Sequence, residues 1–222
     1  YQSYVEINDV FGTALTYGEL HKENDKLFEV INRRCLAFCL CTNSIGSIVG
    51  YTAFIQNGIA PVLLNAHLEK ELLNNLLNSY CPSYLWVPSE QVSEFDNMKA
   101  VYSAYEYTLL KTAYDKEYEL YPELCLMLTT SGSTGSPKFV RQSYKNVLAN
   151  AQSIVQYLEL DETEKPITTL PMNYTYGLSI INSHLLVGAT ILVTDKGLMQ
   201  KEFWSFFKND GATSFGGVPF TY

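Results

Sequence analysis

Between Leu124 and Leu158 the sequence has no Asp and no Glu, although the 222-residue chain carries 23 acids. An even spread would place about three or four in that span, so a local positive field is expected around its cations Lys138, Arg141 and Lys145. Other absences exclude whole classes of function. The three histidines, His21, His67 and His184, are scattered singly. Cys39 and Cys41 form a C-x-C, but no second Cys/His pair follows at ligand spacing, so no metal site is expected. The five cysteines (Cys35, Cys39, Cys41, Cys81, Cys125) sit mostly in apolar runs and read as buried thiols of a reducing compartment. YQSYVEINDV has neither a basic nor an apolar leader region, and there is no initiator Met, consistent with a trimmed N-terminus. The longest apolar region, Cys35 to Ile55, is interrupted by Thr42, Asn43, Ser44 and Ser47, which argues against a membrane span. No internal repeat or low-complexity segment is present. A cytoplasmic protein is the expectation.

What is there is the composition of a globular protein, 47% hydrophobic and 17% charged, with a net charge of -8. That charge argues against nucleic acid as a partner. Seventeen tyrosines are spread along the chain; those between Tyr102 and Tyr121 have only Lys111 and Lys116 interleaved, and read as half-buried strand and loop aromatics.

Short apolar runs alternate with segments of helical period. CLAFCLC (35–41), PVLLN (61–65) and YLWVP (84–88) read as strands. Between them lie a helix from Asn43-Ser44 to Asn57-Gly58 and a second one, apolar at 68, 72, 73, 76 and 77. This rhythm predicts an α/β fold, a mostly parallel sheet flanked by helices. A strand is expected around Tyr105–Leu110 and another at LCLMLTT (124–130). FVRQS reads as a short strand, with Ser143 as the cap of a helix whose face is Val147, Leu148, Ala151, Ile154, Val155 and Leu158. ITTLP, a helix near Tyr176–Val187, ATILVTD, a helix near Met199–Lys208, and ATSFGG continue the alternation. No linker interrupts residues 1–222, which reads as one α/β body.

The acid-free span contains LTTSGSTGSPKFV (128–140). Gly132 and Gly135 allow backbone N–H groups to approach a ligand closely, and successive N–H groups in such a turn form an anion-binding nest. Ser131, Ser133 and Thr134 add hydroxyls, Pro137 stiffens the exit and Lys138 supplies a point charge. Burial of the flanking strand and helix accounts for part of the acid depletion, but not for the order S-G-S-T-G-x-P-K. A Walker loop is excluded, because Pro137 stands where Gly is required and Phe139 where a Mg²⁺-binding hydroxyl belongs. A nucleophile elbow fails too, since Gly132 and Gly135 are too close together.

TSGSTGSPK (130–138) resembles the phosphate-binding loop of the adenylate-forming (acyl-CoA synthetase, adenylation-domain, luciferase) superfamily. It matches [ST]-S-G-[ST]-[ST]-G-x-P-K at every position. LTYGEL (15–20), QNGIAPVLLN (56–65), LPMNYTYGLS (170–179) and GGVPFTY (216–222) resemble further family elements in the same order. Two positions depart from the pattern. Phe139 replaces a common Gly, and Tyr174 replaces the His of P-x-x-H-x-x-G, which borders the carboxylate pocket in the family.

The resemblance implies ATP-dependent activation of a small-molecule carboxylate as an acyl-adenylate. Transfer to a thiol would follow, that of coenzyme A or of an acyl-carrier protein's phosphopantetheine. A non-catalytic nucleotide-binding module is a further alternative. It implies ATP contacts from Thr130, Ser131, Gly132, Ser133, Thr134 and Gly135, with Lys138 as the catalytic countercharge. Tyr174, Tyr176 and Gly177 would shape the acyl or adenine side, although packing at a helix start explains the two tyrosines equally well. It also implies that residues 1–222 are the N-terminal portion of a large AMP-binding domain, inactive by itself. Most Mg²⁺ ligands, the ribose-binding Asp, the hinge and the small C-terminal domain would then lie elsewhere.

Overall fold

The computed structural model describes residues 5–114, 116–129 and 138–219. In chain order its elements are β1 (Val5–Asp9), β2 (Ala14–Thr16), α1 (Tyr17–Ile31), β3 (Leu36–Cys41), α2 (Ile45–Gln56), β4 (Ala60–Asn65), α3 (Lys70–Tyr80), β5 (Tyr84–Pro88), β6 (Lys99–Ala104), β7 (Tyr107–Lys111), β8 (Leu124–Thr129), β9 (Phe139–Ser143), α4 (Tyr144–Leu158), β10 (Pro166–Ile167), α5 (Thr175–Val187), β11 (Ile191–Val193), α6 (Lys201–Asn209) and β12 (Ser214–Phe215). The α/β alternation holds. It builds two compact units rather than the single body expected. The reason no linker showed is that the boundaries fall at Leu20/His21, inside α1, and at Tyr144/Lys145, at the start of α4.

One unit holds residues 21–42 and 46–144 around a seven-stranded sheet of order β6-β7-β5-β3-β4-β8-β9. Its centre, β5-β3-β4-β8, is parallel. Central parallel strands are covered on both faces, which is why LAFCLC and APVLL are unbroken apolar runs and are wholly buried. α2 is buried along nearly all its length for the same reason. Its Gly46 and Gly50 face aromatics: a Cβ at Gly50 would overlap the Trp86 indole, whose Nε1 donates to Gly46 O at 2.8 Å.

Tyr107 ties β3 to α2. Its buried hydroxyl donates to Leu40 O (3.0 Å), receives Thr42 N–H (3.1 Å) and meets Ser47 Oγ (2.6 Å) and Thr42 Oγ1 (2.9 Å). Burial pushes this phenol well above its ordinary range, so it stays protonated and can donate. Tyr107→Phe removes the hydroxyl that donates to Leu40 O and bridges Ser47 and Thr42, and urea denaturation should show a loss of about 1–3 kcal/mol.

The strand expected near Tyr105 is a hairpin, β6–β7, with Tyr105 and Glu106 forming its two-residue turn at φ 48° and 60°. That geometry normally advertises itself as Asn-Gly or Asp-Gly, and neither is present here.

The other unit holds residues 1–20, 43–45 and 145–222 around a five-stranded sheet of order β12-β10-β11-β1-β2. β1, β10, β11 and β12 pair in parallel, and β2 is antiparallel to β1. Ile167, Leu192, Phe203 and Phe206 form a core cluster beneath α6. LTYGEL is the β2–α1 junction. Glu19 accepts from Thr16 N (2.9 Å) and Oγ1 (2.7 Å), and Glu19 N donates to Thr16 Oγ1 (3.2 Å), a reciprocal helix-start cap. α4 forms where expected, directly after Ser143, but only Ala151 of its apolar face is buried, while Leu148 and Leu158 are exposed. No helix among the described residues is long and apolar enough to cross a membrane.

Candidate functional site

In the seven-stranded unit the site begins with β8, an apolar strand held between parallel β4 and antiparallel β9. Thr129 pairs with Phe139 and Leu128 with Val140, so the two ends of the intervening segment are drawn together by the sheet ladder. The expected ligand residues Thr130, Ser131, Gly132, Ser133, Thr134 and Gly135 lie outside the described residues. Lys138 is described; it is exposed and immediately precedes β9. Arg141 on β9 is exposed as well, and no acid lies on β8 or β9.

Phe139, a departure from the family pattern, has a structural role. Its ring packs on Tyr80 (centroids 4.7 Å) and Phe38 (6.5 Å), anchoring the strand that follows Lys138. An aromatic here replaces the freedom of a Gly with a fixed exit for the chain.

The five-stranded unit carries the other expected residues. Tyr174 is the N-cap of α5, with extended φ/ψ and no side-chain cap bond, and Tyr176 and Gly177 lie in the first turn. The two tyrosines are 48% and 41% exposed, so neither is mere core filling. Gly177 is buried because the helix sits on the turn before it: a Cβ there would overlap Pro171 O and come within 2.9 Å of Leu170 O. Tyr174, Tyr176 and Gly177 are thus brought together, whereas Lys138 belongs to the other unit.

Several neighbours were not among the expected site residues. Asn43 Nδ2 donates to Leu170 O (3.2 Å), and Thr169 Oγ1 donates to Gly216 O. A Cβ at Gly216 would overlap Ile180 Cδ1 and approach Tyr176 Cζ to 3.4 Å, so the absent side chain seats the tyrosine ring. Asn43 Oδ1 and Asn173 Oδ1 are both buried without a hydrogen-bond partner among the described residues. GGVPFTY was legible as a motif that includes Gly216; Asn43 reads in sequence only as a helix-start residue.

α5 also contains buried His184. Its Nδ1 lies 2.8 Å from Ile180 O, which fixes the proton there and leaves Nε2 buried with no hydrogen-bond partner among the described residues. Burial holds its pKa below the ordinary value, outweighing the Ile180 bond and Glu164, which act the other way. A depressed histidine contributes stability above its unfolded pKa of about 6.5, and that stability is lost as pH falls from there towards the folded value. Denaturant melts from pH 7.5 to 5 should show this decline, and His184→Gln should flatten it.

Cys35, Cys39 and Cys125 are held as neutral thiols at neutral pH. Burial pushes Cys35 up to about 11 and Cys125 to about 12, and the Cys41 thiol and burial raise Cys39.

The chain is 29% identical over 207 residues to a 2-succinylbenzoate–CoA ligase of Oceanobacillus iheyensis, covering 89% of this chain and 42% of that protein. It is 23% identical over 189 residues to the D-alanine–D-alanyl carrier protein ligase of Staphylococcus haemolyticus, covering 84% and 39%. The chain therefore spans about two fifths of the length of these curated relatives. In fold it is similar to apo MatB from Rhodopseudomonas palustris, with a TM-score of 0.81 at 17% identity, covering 100% of this chain and 47% of that one. It is similar also to the O-succinylbenzoate coenzyme A synthetase of Bacillus subtilis in complex with ATP and magnesium ion, with a TM-score of 0.74 at 19% identity, covering 98% and 60%. The profile of the family described as AMP-binding enzyme matches residues 3–222, and the chain belongs to that family.

Proposed function

We propose that the natural full-length protein containing this chain is an AMP-forming acid–thiol ligase. The observation that carries the reading is the TSGSTGSPK segment, its ends tied by the Thr129–Phe139 pair, in a chain matched almost end to end by the AMP-binding family. A carboxylate oxygen attacks the α-phosphorus of ATP; the bond from that phosphorus to the bridging oxygen breaks, and pyrophosphate leaves. Lys138 faces the charge that grows on pyrophosphate, and Thr130 to Gly135 supply hydroxyl and N–H donors to its oxygens. Mg²⁺ accompanying ATP would share that neutralisation. A thiol sulfur then attacks the acyl carbon, forming the thioester as AMP departs. The acyl or adenine side is assigned to Tyr174, Tyr176 and Gly177. Because this chain is about two fifths of its relatives' length, the activity is proposed for the full-length protein and not for these residues alone.

The similarity to a carrier protein ligase favours one alternative, loading of a carrier's phosphopantetheine in place of coenzyme A. Supplying both acceptors separately after adenylate formation distinguishes them. Thioester with coenzyme A supports the first reading, and thioester only with a purified carrier the second. Carboxylate-dependent pyrophosphate exchange tests both, and Ser133→Ala should slow it; ATP binding without exchange would leave a nucleotide-binding module.

A further inference from the structure

The start of α5 combines three features that point to the kind of acid the site accepts. First, Asn43 Oδ1 and Asn173 Oδ1 are buried acceptors with no donor among the described residues. The bond from Asn43 Nδ2 to Leu170 O fixes which end of that amide is left open. An unmatched buried acceptor is unfavourable until something donates to it. Asn173 lies in the turn closed by Tyr174 N donating to Pro171 O at 3.0 Å, and Asn43 is bonded to Leu170 immediately before that turn. Second, from Pro166 to Thr194 there is no Lys, Arg, Asp or Glu, and the single His184 is buried with its pKa lowered. Third, Tyr176 is seated over Gly216, so an aromatic surface and a phenol stand beside this turn in a fixed place.

We infer that Asn43 and Asn173 read a neutral hydrogen-bond donor, a hydroxyl or amide N–H, on an acyl group that carries no charge besides its reacting carboxylate. This rests on the reading that places the acyl group at the start of α5. It also separates this protein from the relatives named above, because 2-succinylbenzoate has a second carboxylate and D-alanine an ammonium group. The uncharged 166–194 segment provides no counter-ion for either. A site with amide acceptors discriminates strongly for the matching donor, since the analogue lacking it leaves those acceptors unmatched in a buried setting. Asn173 is assigned a specificity role rather than a chemical one.

The test uses the natural full-length protein and measures pyrophosphate exchange with matched acids. One is an aromatic or aliphatic monocarboxylate with a hydroxyl, the second its deoxy analogue, and the third its amino or second-carboxylate counterpart. The hydroxylated acid should exceed both others in kcat/KM by about tenfold or more. Asn173→Ala should erase that preference by lowering kcat/KM for the hydroxylated acid alone. Asn173→Asp, which keeps the shape and adds a charge, should move preference towards the ammonium-bearing acid, and thermal melts of both variants confirm folding. Equal use of the three acids, preference for a charged one, or an Asn173→Ala effect shared by all would overturn this inference while leaving the ligase reading intact. Absence of exchange with every carboxylate would instead overturn the ligase reading, and the inference with it.

Discussion

Lys138→Ala should lower carboxylate-dependent pyrophosphate exchange by the full-length protein about 10²–10³-fold, with little change in melting temperature. The magnitude is that of removing one preorganised group from a site of developing charge. The separation of effects follows from position. Lys138 is exposed, and the residue that anchors the chain beside it is Phe139, packed on Tyr80 and Phe38. Lys138→Arg keeps the charge but changes its shape and reach, so it should recover only part of the activity. Equal exchange by wild type and Lys138→Ala would remove this residue from the mechanism.

The largest effect on stability is expected from Gly50→Ala. A methyl group there overlaps the Trp86 ring, which is fully buried, stacked on Tyr107 at 5.5 Å and hydrogen-bonded to Gly46 O. The ring has no free direction in which to move, and overpacking of this kind costs about 3 kcal/mol or more. For a chain of this size that is a fall of roughly 6–12 °C in Tm. Gly12→Ala is the informative control. Gly12 has φ +84° but nothing near its absent Cβ, so only backbone strain of about 1 kcal/mol is expected. A similar loss in both variants would contradict the packing argument.

These examples show why some features were legible in the sequence and others were not. β3, β4, β5 and β8 could be read directly, because strands buried on both faces must be apolar without interruption. The β6–β7 turn could not, because Tyr105 and Glu106 adopt left-handed angles without the residues that usually signal them. β10 and β12, at two residues each, are too short to carry a period, and ITTLP and ATSFGG marked them only by their place in the alternation. The apolar face of α4 was readable as a face, but its pattern reports what a helix can bury, and only Ala151 of it is fully buried while Leu148 and Leu158 are exposed. The candidate site divides in the same way. The hydroxyl–glycine–lysine order and the P-x-x-x-x-x-G element are local and were visible. Asn43 lies 127 residues before Leu170, and Gly216 lies 40 after Tyr176, so their meeting depends on tertiary structure.

The most direct test of the central claim is mass spectrometry of the full-length protein's products from ATP, Mg²⁺ and each of a panel of carboxylic acids, neutral hydroxylated and charged, without any thiol. The predicted result is acyl-adenylate and pyrophosphate, with AMP and thioester appearing only after coenzyme A or a carrier thiol is added. Formation of ADP and phosphate, or no acid-dependent product from a folded, ATP-binding protein, would contradict it.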